Sequence, residues 1–141
     1  ERLIGILALG RIRDRQAATT LRDMLQRNQA LEVKLAAARA LGMIGLPAGE
    51  PIAAKALTFV PEKPSGKELL PEAPEIRQVR VRSMAALALA EVAGTEAIGP
   101  LLERMQQDDP RVGVAAATAI LRIADRQRPT ALPVVVAGTG M

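Results

Sequence analysis

Val81-Arg82-Ser83-Met84-Ala85-Ala86-Leu87-Ala88-Leu89-Ala90-Glu91-Val92-Ala93 reads as one alanine-rich helix, and its frame returns along the chain. It appears as Val33-Lys34-Leu35-Ala36-Ala37-Ala38-Arg39-Ala40-Leu41-Gly42-Met43-Ile44-Gly45. It appears again as Val112-Gly113-Val114-Ala115-Ala116-Ala117-Thr118-Ala119-Ile120-Leu121-Arg122-Ile123-Ala124. A worn copy opens the chain and ends Ala8-Leu9-Gly10-Arg11-Ile12-Arg13-Asp14. Such self-similarity marks stacked helical units and decides the fold before any single motif is weighed.

Working outward, each frame is followed by a second helical pattern. Ala17, Ala18, Leu21, Met24 and Leu25 have the spacing of a buried stripe, as do Ala97, Ile98, Leu101, Leu102 and Met105. The unit is therefore a helix pair. The spacing predicts first helices over about 31–44, 76–93 and 110–124. Second helices are expected over 17–25, from Glu50-Pro51 to about Val60, and over 96–107. Gly45-Leu46-Pro47-Ala48-Gly49 supplies terminating residues, and Asp109-Pro110 reads as a cap followed by proline at the first helical position. A brief last helix is expected from Pro129. The matched positions Leu9, Leu41, Leu89 and Ile120 fall 32, 48 and 31 residues apart, so the middle interval carries an insertion. It is the stretch 61–75, with Pro61, Pro64, Pro71 and Pro74, and it maps to an inter-helix loop, tolerated or used for recognition.

The whole chain, 1–141, thus reads as a single all-α domain. Its units span about 1–28, 29–60, 76–107 and 108–137, the first and last incomplete. Asp109-Pro110-Arg111-Val112 leading into Ala115-Ala116 and Ala119-Ile120 resembles a HEAT repeat. More closely it resembles the short HEAT-like repeat of phycobilisome (bilin) lyases. Val81-Arg82, Ala85-Ala86 and Leu89 match that pattern, as do Val33-Lys34, Ala36-Ala37 and Leu41-Gly42. Departures are Gly113 where a basic residue is expected, and Ala90 and Leu121 where glycine is. The resemblance implies a right-handed α-solenoid of about four helix pairs. With packed helices 8–10 Å apart, that is a curved rod about 40 Å long. It also implies that the basic residue of the frame, Lys34 or Arg82, pairs with an acid or carbonyl of a neighbouring repeat.

Composition bounds the function. Nearly half the residues are apolar (49%), which excludes a disordered chain, yet Phe59 is the only aromatic side chain. The chain has no His and no Cys, so neither a Ser-His nor a Cys-His nucleophile pair can be assembled. No zinc site beyond rare all-carboxylate ones can form either. We expect no enzyme activity, no metal and no cofactor. The net charge of +4 permits nucleic acid or an acidic protein as partner without demanding either. No apolar run approaches a membrane span and no signal segment opens the chain, so a cytoplasmic location is expected. The start at Glu1 without Met suggests a processed product or fragment.

The expected function is a non-enzymatic scaffold that binds a protein along its concave helix face, through the 61–75 insertion, or both. Arg22, Gln26, Lys55, Arg104 and Gln107 are the candidate partner-binding residues on the second helices. Two alternatives stand beside it. One is nucleic-acid binding through an Arg-rich face, weakened because the frame position of Arg11 and Arg122 holds Met43 and Glu91. The other, implied by the resemblance alone, is a bilin lyase-like or chaperone subunit. Leu3, Ile4, Ile6, Leu7 and Leu9 leave little polar surface on the first helix. That end is expected to self-associate or to be covered by further chain.

Overall fold

A computed structural model of the chain describes residues 2–27, 29–67 and 69–129. Their ordered elements are all helical: α1 (Arg2–Arg11), α2 (Ala18–Gln26), α3 (Leu31–Ile44), α4 (Glu50–Ala56), α5 (Pro74–Val92), α6 (Ile98–Gln107) and α7 (Pro110–Gln127). Single 3₁₀ turns, Arg15–Ala17 and Thr95–Ala97, lead into α2 and α6. The last helix expected after Pro129 falls on residues 130–137, and the frame's expected start on Glu1; both lie outside the described residues.

The helices form two layers. α1, α3, α5 and α7 stack side by side in chain order, while α2 lies against α3, α4 against α5, and α6 against α7. Each second helix leans on the first helix of the following unit. It therefore covers a joint, and no unit is a self-contained pair.

Alanine makes this stacking possible. The frame superposes Val33, Val81 and Val112, then Ala37, Ala85 and Ala116, then Ala40, Ala88 and Ala119, and all nine side chains are buried. Small side chains at the contacts bring the helix axes close, and glycine closes the gap where even a methyl group is too large. A Cβ placed on Gly10 would lie 2.7 Å from the Cα of Ala40. One on Gly42 would lie 2.6 Å from the Cβ of Glu91. Larger side chains then fill the space beneath the second layer: Leu21, Leu41, Leu57, Leu89, Leu101 and Ile123 are fully buried. Each contributes roughly 1.5–3 kcal/mol of burial.

Local signals fix the ends. Gly45 takes a left-handed conformation (φ 88°), and the Leu46 N–H donates to Leu41 O at 2.9 Å, closing α3. Asp109 caps α7 by accepting from Arg111 N at 2.9 Å, with Pro110 following. α4 differs from expectation: it stops at Ala56 instead of running to about Val60. Val60 precedes Pro61, which disfavours helical backbone there, and the Thr58 hydroxyl turns back to Lys55 O at 3.3 Å.

Candidate interaction surface

The surface that does not follow the repeat is concentrated where α4 ends and the insertion begins. Beyond Ala56 the chain turns away, and Leu31, Ile52, Ala56, Phe59 and Val60 line an open apolar hollow. Lys34 and Lys55 stand at the same hollow. It joins α3 to α4 with a greasy floor and two cations, a shape suited to an apolar side chain flanked by acids.

The insertion carries no helix or strand before Pro74 among its described residues, yet it is pinned. α5 begins at Pro74, about two turns ahead of the frame position Val81, and those turns carry Arg77 and Arg80. Glu32, at the start of α3, accepts from Arg77 Nε at 3.2 Å and from Arg80 Nη2 at 3.3 Å. Arg80 also grips Glu72 of the insertion with both Nη groups. The Arg77 guanidinium lies 5.2 Å from the centre of the Phe59 ring. Burial would push the Glu32 carboxyl up; the Arg77 hydrogen bond, its own backbone and Arg80 together hold it below the usual range. Glu72 is likewise lowered, chiefly by its hydrogen bonds from Arg80. Held in this way, the insertion presents Leu69 and Leu70 almost wholly to solvent, near the exposed Val60 and Ile76 in the chain.

A second polar tie holds the joint between α5 and α7. Arg82 donates from Nε to Phe59 O at 2.9 Å and from Nη1 to Asp108 at 2.7 Å. The two side chains are only 11% and 5% exposed. Here the frame's basic residue links the unit before it to the unit after it. Lys34, the equivalent residue of the previous unit, makes no such link among the described residues and lines the hollow instead.

The residues singled out on the second helices do not form one patch. Arg22 and Gln26 are exposed on α2, Lys55 on α4 and Gln107 on α6. Arg104 is turned inward, 14% exposed, with Nη1 3.5 Å from Asp108. The frame explains this. Aligning Leu21 with Leu101, both fully buried, puts Met24 on Arg104 and Arg22 on Leu102. Arg22 and Arg104 therefore point to different sides of their helices. Lys55 alone belongs to the hollow. Glu32, Phe59, Arg77 and Arg80 escaped sequence reasoning. Their signal was the helical stretch Ile76-Arg77-Gln78-Val79-Arg80, which precedes the frame and has no counterpart in the other copies.

Among the described residues no helix is long and apolar enough to cross a membrane. Nor is any group of His, Cys, Asp or Glu there placed to hold a metal ion. Compared with known proteins, residues 1–63 match the family model for HEAT repeats, and residues 81–107 match that of the PBS lyase HEAT-like repeat. No curated protein and no solved structure matches the chain.

Proposed function

Because the chain is a HEAT-like repeat protein, we propose that it is a non-enzymatic scaffold, coiled as a right-handed solenoid, that binds a protein partner at the hollow and the insertion beside it. HEAT repeats generally mediate protein–protein contacts. One observation carries the reading to this place. The positions that recur are spent on packing, whereas Leu69 and Leu70 are held exposed on a loop pinned by Glu72, Arg80 and Glu32. Exposed apolar side chains on a fixed support cost little ordering entropy when a partner covers them. Lys34 and Lys55 add a preference for acids flanking the partner's apolar residue. The polar second-helix faces, with Arg22, Gln26 and Gln107, serve as an outer rim of the concave side.

Affinity capture from the native source with defined variants tests this. Leu69→Asp with Leu70→Asp, and separately Lys55→Glu, are expected to release a partner that the wild type retains stoichiometrically. Thermal midpoints should stay unchanged, since all three side chains are exposed. Retention of the same partners by both variants, with loss on an Arg22→Glu variant, would move the site to the second-helix face. Retention by all three would overturn the reading.

A further inference from the structure

The open side of α1 carries a pattern that another helix of the molecule puts to use. Ile4, Gly5, Ala8, Arg11 and Ile12 are all exposed along that side. Leu7 joins Ile4, Ala8 and Arg11 in lining one hollow there. Matching Leu9 to Ile120 sets the five exposed residues on Ala115, Ala116, Ala119, Arg122 and Ile123 of α7. In α7 the four apolar members of that set are buried, in one core with Ala85 and Ala88 of α5 and Leu101 of α6. The fifth, Arg122, pairs with Glu91 of α5 at 2.9 Å.

Size and charge both bear on what α1 can receive. Gly5 and Ala8 stand in the two columns that hold buried alanine in every other copy: Ala37, Ala85 and Ala116, then Ala40, Ala88 and Ala119. Nothing lies within 4 Å of a Cβ placed on Gly5, so the approach is open. On a face left in water glycine only weakens a helix, whereas under a close neighbour it makes room. Arg11 fills the column of Arg122, stands exposed at the hollow, and meets no carboxylate among the described residues. α1 itself contains no acid. A carboxylate for Arg11 must therefore come from whatever covers the face.

We propose that the open face of α1 is a docking surface for a partner's helix pair of the α5–α6 type. Its first helix is alanine-rich and carries a glutamate in the Glu91 column, paired with Arg11 as Glu91 is with Arg122. Charge excludes a second copy of this chain from the role. Stacked head to tail, that copy would offer α7, whose residue in the Glu91 column is Arg122. Paired face to face, two acid-free α1 helices would set arginine against arginine. Like charges at a contact reject the wrong partner more strongly than an added pair rewards the right one.

The surface can be tested on the whole chain by placing residues 74–112 again ahead of Arg2, in place of Glu1. The added helix pair then enters in frame, because residue 112 precedes Gly113 and Arg2 matches Gly113. The methyl signals of Ile4 and Ile12 are expected to lose their exposure to a soluble paramagnetic agent, and the urea midpoint to rise in a single transition. Glu91→Arg in the added copy alone should lower the docking equilibrium constant at least about tenfold. Arg11→Glu combined with it should restore docking, and this reversal separates charge recognition from packing. The wild-type chain should sediment as a monomer at the same concentrations. Ile4 and Ile12 remaining exposed, or docking indifferent to Glu91→Arg, would overturn the proposal. So would a wild-type dimer abolished by Ile12→Asp at its exposed position, which would make a second copy the occupant.

Discussion

α1 and α3 are built on the same frame and meet opposite fates. Superposing Leu9 on Leu41 puts Ile12 on Ile44 and Ile4 on Ala36. Ile12 is 71% exposed and Ile44 is 4%; Ile4 is 74% exposed and Ala36 is 2%. The side chain is the same in the first of these pairs, so burial is set by the neighbour and not by the helix. α3 turns that face to α1, packing Ala36, Ala37, Ala40 and Ile44 with Ile6 in one core cluster. α1 turns the equivalent face to no helix among the described residues. In a stack, stability resides in the joints. Matched truncations give the largest expected contrast. Ile44→Ala should cost about 2–5 kcal/mol, and Ile12→Ala less than about 0.5 kcal/mol, by urea denaturation. Equal losses would mean that the face of α1 is covered in solution, by a second copy or by further chain, and a concentration-dependent midpoint would identify the second copy.

Glycine sharpens the contrast at a smaller scale. Gly42 lies against Glu91 of α5 with no room for a methyl group, while Gly5, on the open face of α1, has nothing within 4 Å of its would-be Cβ. Alanine is favoured over glycine in a helix by about 1 kcal/mol at either place. At Gly42 the clash reverses the sign, because the neighbour is backbone and Cβ and not a flexible tip. Gly42→Ala should therefore destabilise by about 1–3 kcal/mol, and Gly5→Ala should stabilise by up to about 1 kcal/mol. The same column accounts for one of the copies that lack glycine. Leu121 in α7 is tolerated because it is 70% exposed and no further helix packs on it among the described residues.

What was legible in the sequence follows the same division. α3 occupies the expected 31–44, and Asp109-Pro110 and Gly45 cap as their types require, because these are local signals that repeat. The packing columns could be read because alanine has few other reasons to recur at such spacing. Side chains whose partners lie in another unit could not. Arg104 looks like a solvent-facing cation in sequence, yet Asp108, four residues on, draws it inward beside Arg82. Arg39 looks like an interruption of an apolar frame until α1, α5 and α7 bring Arg11, Glu91 and Arg122 around it. Lys55 reads in the sequence as one of a row of polar positions, and the hollow beside it is completed by Phe59 and Val60, beyond the end of α4. Long polar side chains answer to three-dimensional neighbours that periodicity does not encode.

The polar ties obey the neighbour rule too, and they give the smallest expected effect. α3 begins with Glu32, which α5 holds through Arg77 and Arg80, and in the frame α1 has no described residue at that place. Both arginines are about 40% exposed, so solvent screens the pairs and their joint contribution should stay below about 1 kcal/mol. The sign is fixed by the direction of the shift. The folded Glu32 carboxyl lies below its ordinary value of 4.5, so its contribution is fully present above that value and is lost as the pH falls through the lowered folded value. Glu32→Gln lacks this term and should be slightly less stable than wild type at pH 7. Because the wild-type advantage fades with acidification, the two denaturation midpoints should converge at low pH. High salt at pH 7 should narrow the same gap. A gap that persists in acid would show that Glu32 acts by packing, and that the insertion is held at this joint by Glu72 and Arg80 alone.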